Sequence, residues 1–269
     1  MLFFNNTKGY FFITKIRILA SLSYNFEVWS SIIKNFLILI AVVFIWKSAY
    51  NGIPSVGNVT QSQMITYTIV STLLFTLFNF NIETKIVRGI HSGEIIMDFI
   101  KPINPFKGWF FDDLGFSLGH FIMQFFPILL FSILFIQLPL PASSLHFLLF
   151  LLSALCSLLI GWLLSALAGM VAFWYLETGY LCVLKNSIIR ILSGSFVPIW
   201  LFPAWYRNIS VYLPFQYMYQ TPLSIYIGKL SYKSAVMNIG VQFVWVTIFI
   251  IVASLTWQRA KRKLLIQGG

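Results

Sequence analysis

Gly115-Phe116-Ser117-Leu118-Gly119 matches the G-x-S-x-G pattern, with His120 immediately after it and Asp112 and Asp113 just before. That pattern serves nucleophilic chemistry when a strand enters and a helix leaves, so that a sharp turn holds the serine hydroxyl out toward a base. Here the stretch opens a long apolar run, and no histidine follows His146 to supply a base from a later element. The two glycines therefore read as helix-packing positions, and an intramembrane serine protease stands as a rival without its general base. His91, His120 and His146 are scattered and show no metal-ligand spacing, so no metal site is expected.

The other charged constellations suit binding better than catalysis. Glu83, Glu94, Asp98, Asp112 and Asp113, five of the seven acidic residues, fall between Ile82 and Asp113. In a chain this apolar, such a gathering predicts a connection presented to water and open to a soluble partner. Two polar lines run along apolar stretches at helical spacing: Thr68, Thr72, Thr76, Asn79 and Glu83 in one, Asn186, Arg190 and Ser193 in the other. A guanidinium below a membrane surface is costly and normally faces a cavity or partner, which singles out Arg190. An ion-driven transporter would bury carboxylates near the midplane, whereas here every acid maps to the inner surface or a span end.

The elements that must position these residues follow from composition. The 269 residues are 59% hydrophobic, 18% aromatic and 9% charged, far from the average of a soluble domain. Apolar stretches near 31–50, 62–81, 114–138, 145–174, 180–200 and 235–257 are each long enough for a spanning helix of about 20 residues, giving six spans. With the N-terminus inside, all 18 basic residues except Lys47, Arg207, Lys229 and Lys233 fall on the inner side, as the positive-inside rule requires. Both termini are then cytoplasmic. The net charge of +11 reflects this topology, with the Arg259–Lys263 cluster set against anionic headgroups, and nucleic-acid binding is not expected.

The chain reads as one all-α transmembrane domain over 1–269, with an N-terminal interfacial helix within 1–30, six spans within 31–257 and a basic tail over 258–269. Lys15 and Arg17 interrupt the first apolar run, which argues against a cleavable signal. Cys156 and Cys182 read as core thiols rather than a disulfide. In the fourth span Ser153, Ser157, Gly161, Ser165 and Gly169 recur every four residues and predict a packing seam, with a substrate groove as the alternative.

Between the second and third spans, Ser92 is expected to cap a helix over 92–100 that Pro102 ends. Ile95, Ile96, Phe99 and Ile100 should share one face, resting on the span ends, with Glu94 and Asp98 on the outward one. Near the outer side, Pro198, Pro203, Pro214 and Pro222 interrupt helix, and non-helical backbone at that depth needs protein or a water-filled cavity around it. Trp200, Trp205, Tyr206, Tyr212, Tyr217, Tyr219 and Tyr226 are expected to anchor this block at the outer headgroups.

Arg88-Gly89 and Ser92-Gly93-Glu94-Ile95-Ile96-Met97-Asp98-Phe99-Ile100-Lys101-Pro102 resemble the coupling segment of type 2 ABC transporter permeases. Leu192-Ser193-Gly194-Ser195-Phe196-Val197-Pro198, Leu201-Phe202-Pro203-Ala204-Trp205 and Leu213-Pro214-Phe215 resemble that family's fifth span and re-entrant outer hairpin. Ser21-Leu22-Ser23-Tyr24-Asn25 resembles an N-terminal interfacial helix, with Asn25 where an arginine is usual. The resemblance implies an exporter subunit in the cell membrane, paired with a second copy or a paralogue. It implies ATPase coupling through Glu83, Arg88, Gly93, Glu94, Asp98, Lys101 and Pro102. The translocation path would use Thr68, Thr72, Thr76, Asn79, Asn186, Arg190 and Ser193, and the outer gate Pro198, Pro203, Trp205, Pro214 and Phe215. The chain has no G-x-x-x-x-G-K-[ST] loop, so ATP and magnesium would sit on a partner ATPase and no cofactor on this chain.

Overall fold

A computed structural model describes residues 7–22, 25–101, 103–136, 138–175 and 179–267. Ser23, Tyr24 and Pro102, all named above, lie outside the described residues. The chain is almost wholly helical: α1 (Thr7–Ser21), α2 (Asn25–Ala49), α3 (Gln61–Leu77), α4 (Ile82–Ser92), α5 (Ile95–Ile100), α6 (Pro105–Phe131), α7 (Ser144–Met170), α8 (Gly179–Leu192), α9 (Ala204–Ser210), α10 (Gln220–Tyr226) and α11 (Tyr232–Gln267). The described strands, Ser55–Val56 and Val59–Thr60, form one tight antiparallel hairpin ahead of α3.

Local chemistry sets the helix starts. Thr60 and Gln63 cap α3 reciprocally, the threonine hydroxyl accepting from the Gln63 N–H and the glutamine side chain accepting from the Thr60 N–H. Asn104 accepts from the Phe106 and Lys107 N–H groups, with Pro105 at the first helical position of α6. Ser143 caps α7 through the His146 N–H.

Among the described residues, five helical stretches are long and apolar enough to cross a membrane: Trp29–Ala49, Gln61–Ser92, Pro105–Ile136, Ser144–Phe173 and Tyr232–Lys263. Their outward faces carry side chains such as Phe44, Leu148 and Met237, each more than 60% exposed, as suits hydrocarbon solvent. The stretch expected as a fifth span over 180–200 is different. Helix α8 covers 14 residues and stops at Leu192, because Gly194 takes the left-handed region at φ +79° and the chain runs irregularly to Pro198. A Cβ on Gly194 would lie 2.6 Å from the Gln220 Oε1 atom, so both conformation and space exclude a side chain there.

Helix α7 is the centre of the bundle and packs against α11, α10 and α4. Its small residues form the expected seam. Ser153, Ser157 and Ser165 are buried, and Cβ atoms added at Gly161 and Gly169 would press on Phe80 and on the α4 backbone at Glu83. Gln242 of α11 donates across the seam to the Ser153 and Tyr217 carbonyls at 3.1 and 2.7 Å. Cys156 is buried and Cys182 half-buried, both as free thiols.

Helix α1 lies along α6, seated on the G-x-S-x-G glycines. A Cβ at Gly115 would meet the Thr14 carbonyl oxygen at 2.6 Å, and one at Gly119 would collide with the Ser21 hydroxyl. This is close helix approach between small residues. Ser117 is fully buried within α6 and donates to the Asn79 carbonyl at 2.8 Å, so the motif has no strand-to-helix turn.

Candidate functional site

Two features stand out, a short exposed helix and a cavity, and both hang on α4. Helices α3 and α4 are separated by a break at Phe78–Asn81, and side chains of α6 fill the backbone groups it frees. Ser117 takes the Asn79 carbonyl, while the Asp113 carboxylate accepts from the Asn81 N–H at 2.7 Å. One residue earlier on α6, Asp112 accepts from Lys85 of α4 at 2.9 Å and pairs with Arg17 of α1 at 3.8 Å. These contacts fix the position of α4 against the bundle.

At its far end α4 stops at Gly93, in the left-handed region at φ +75°, and the chain turns into α5. The short helix covers 95–100, and Ser92 ends α4 instead of capping α5; its hydroxyl accepts from the Glu94 N–H at 3.3 Å. The expected faces are also exchanged in part. Ile95 is buried under the helix, but Ile96, Met97 and Ile100 point outward at 52, 63 and 71% exposure. Asp98 points inward and accepts from the Trp109 Nε1–H and the Lys101 ammonium, both at 2.7 Å. The Phe99 side chain lies outside the described ones. Burial alone would raise the Asp98 carboxyl, but the Lys101 and Trp109 hydrogen bonds and the Lys101 charge outweigh it and hold the group below the usual carboxylate range.

The acidic segment is therefore not a water-facing handle. Glu83 and Asp113 are buried and Asp98 and Asp112 are turned to basic or indole partners, leaving Glu94 exposed. Helix α6 begins nine residues before the expected 114, at Pro105, which draws Asp112 and Asp113 into the bundle. Arg88, Glu94, Asp98 and Lys101 line a cavity of about 590 Å³ between α4, α5 and α6.

Glu83 faces the opposite side of α4 and opens into a second cavity, of about 360 Å³. There it accepts a short hydrogen bond from the Lys185 ammonium, which also donates to Ser165 Oγ at 2.7 Å. Asn79, Asn186 and Arg190 line the same cavity with Phe75, Phe78 and Tyr219, and the Arg190 guanidinium lies 5.4 Å from the Phe75 ring centre. The structure thus unites the ends of the two polar lines. Thr68, Thr72 and Thr76 do not reach this cavity; their hydroxyls donate to the Met64, Thr68 and Leu73 carbonyls of their own helix. Ser193 is buried at the end of α8, where its carbonyl accepts from the Gln220 N–H at 3.0 Å. Sequence reasoning missed Lys185 as a site residue; it lines the same cavity as its neighbour Asn186 and Arg190.

The irregular chain from Ser193 to Tyr226 forms a re-entrant block held by neutral side chains. Tyr67 donates to the Gly194 carbonyl at 2.6 Å, Ser71 to the Ser195 carbonyl at 2.7 Å and Tyr206 to the Leu192 carbonyl at 2.7 Å. Gln220 Oε1 accepts from the Ile199 N–H at 2.9 Å and lies 2.9 Å from the Tyr67 hydroxyl. Pro198, Pro203 and Pro214 each precede a short helical turn of this block, Phe215 packs on the core and Trp205 is 66% exposed. Of the expected outer anchors, Trp205 and Tyr212 face outward, whereas Tyr206, Tyr217, Tyr219 and Tyr226 are buried because they pack the block onto α3 and α7 and satisfy its carbonyls.

No curated protein matches the chain. A sequence model of the ABC-2 family transporter proteins does, over residues 16–268, a range that takes in α4, α5, the cavity and the re-entrant block. With its several apolar spanning helices, the chain belongs to the ABC-2 transporter family and is a multi-pass membrane permease component of an ABC transporter, a kind of subunit that works with a separate ATP-binding one.

Proposed function

We propose that the chain is the permease half-unit of an ATP-driven exporter in the cell membrane, pairing with a second copy or a paralogue and with two ATPase domains that hold ATP and magnesium. It moves an amphiphilic small molecule, peptide or glycan out of the cytoplasm or the inner leaflet. Both termini are cytoplasmic in this reading, and α8 together with the re-entrant block supplies a sixth crossing, with Pro198, Pro203, Trp205, Pro214 and Phe215 at the outer gate. Export fits better than import because nothing in the sequence resembles a docking site for an external binding protein.

The observation that carries the reading is α5 itself. Ile96, Met97 and Ile100 form an outward apolar row on a helix whose other side is pinned by Asp98 to Trp109. Such a row, held rigidly, suits insertion into a groove of a soluble partner. Closure of the ATPases would press on α5, move α4, and so alter the cavity that Glu83 shares with Lys185. The test is a mild-detergent pull-down of the tagged chain with Ile96→Asp and Met97→Asp as controls. An ATP-binding protein should accompany the native chain and be lost from both variants while membrane insertion persists; retention by both would remove the docking role. Reporter fusions that placed residue 94 outside the cell would overturn the topology.

A further inference from the structure

The cavity behind α4 contains three charged side chains, Glu83, Lys185 and Arg190. Glu83 and Lys185 neutralise each other, and the second donor bond of Lys185 goes to Ser165. Arg190 pairs with no carboxylate among the described residues; its guanidinium lies over the Phe75 ring instead. Among the described residues the cavity thus has one uncompensated positive charge, flanked by the Asn79 and Asn186 carboxamides and by the rings of Phe78 and Tyr219.

Charge decides among possible occupants. A cationic amphiphile would meet Arg190 as a like charge, and the one carboxylate present, Glu83, is already engaged by Lys185. A neutral occupant would displace water from a guanidinium without replacing its hydrogen bonds, which is costly even at an exposed arginine. An anionic head satisfies Arg190 through charge-assisted bonds, and its apolar body finds the aromatic wall. Resting on the permease reading above, we infer that the substrate class is an anionic amphiphile, its phosphate, sulfonate or carboxylate head held by Arg190 and its apolar body laid against Phe75, Phe78 and Tyr219. Asn186, four residues before Arg190 on α8, is the neighbouring donor to the same head.

The test uses the permease with its co-purified ATPase in phosphatidylcholine nanodiscs, with a photoreactive dodecyl phosphate and a dodecyl trimethylammonium probe carrying the same label. The phosphate should crosslink to peptides containing Phe75 or Tyr219, with affinity about tenfold lower in Arg190→Gln and near native in Arg190→Lys. Asn186→Asp, which puts a carboxylate beside Arg190 without removing it, should weaken the phosphate likewise. The ammonium probe should not label the site. Equal labelling by the two probes, or native phosphate affinity in both Arg190→Gln and Asn186→Asp, overturns the substrate class and leaves the permease reading standing if ATP hydrolysis still responds to probe. If no ATPase accompanies the chain while Arg190-dependent labelling persists, transport falls and the anion is no longer a substrate. Competition by added phosphatidylglycerol would identify a membrane lipid as the occupant, and its absence a soluble amphiphile; either supports an anion at Arg190.

Discussion

The α4–α5 segment and the re-entrant block both hold irregular backbone in place, but with different chemistry. Around α4 and α5 the fasteners are charged: Asp112 with Lys85 and Arg17, Asp98 with Lys101 and Trp109, Glu83 with Lys185. Around Ser193–Tyr226 they are neutral, the hydroxyls of Tyr67, Ser71 and Tyr206 and the Gln220 amide acting on backbone groups. A neutral hydrogen bond loses little on desolvation, whereas a charged pair needs some access to water or close mutual compensation. The difference teaches that the first region is built for a wet boundary where contacts are exchanged, and the second for a dry one where the backbone stays closed.

The largest break in this contrast is expected at Glu83, whose ion pair with Lys185 lies inside the bundle. Glu83→Ala strands the Lys185 ammonium and should cost about 3–5 kcal/mol. Thermal unfolding in detergent will measure it, and Lys185→Met added to Glu83→Ala should recover much of the loss. Recovery would be absent if the pair served only as two independent surface charges. Tyr67→Phe comes next, removing the donor to the Gly194 carbonyl and leaving that oxygen buried, for about 1–3 kcal/mol. Its effect should be insensitive to salt, unlike that of Asp112→Asn; equal salt dependence of the two melting curves would erase the distinction drawn here.

The smallest effect concerns pH. The Asp98 carboxyl is held below its ordinary value, so it adds stability to the α5 docking that is fully present above an unfolded value of about 3.9 and is lost as pH falls through the lower folded value. Hydrogen exchange over residues 93–101 should therefore be unchanged between pH 7 and pH 5 once corrected for intrinsic rates. Asp98→Asn should raise it at both. A rise in the native protein over that window would place the titrating group elsewhere.

Much of the architecture was legible because lipid exposure writes itself as long apolar runs, and because Gly93, Gly194, Pro198, Pro203 and Pro214 mark where helices break, although Pro127 and Pro222 sit inside α6 and α10. The seam on α7 was visible because small residues every four positions let another helix approach closely. What sequence could not convey was pairing at distance. Glu83 and Lys185 are separated by 102 residues, and Ser117 meets Asn79 across a break that no periodicity announces. The same limit explains the reversed face of α5. Glu94 and Asp98 share a helical face by spacing, but Trp109 lies within reach of Asp98 alone and turns that carboxylate inward. Family resemblance located the segment, not the orientation of its side chains.

The seat of α1 on Gly115 and Gly119 has a mechanical consequence. With the Thr14 backbone and the Ser21 hydroxyl occupying the space that side chains would fill, and with Thr14 donating to the Phe111 carbonyl at 2.9 Å, α1 has no play in which to roll or slide along α6. It is an outrigger bolted to its mast: whatever tilts α6 must carry α1 with it, and a force on α1 must be felt by Asp112, which pairs with Arg17, and by the segment that Asp112 holds.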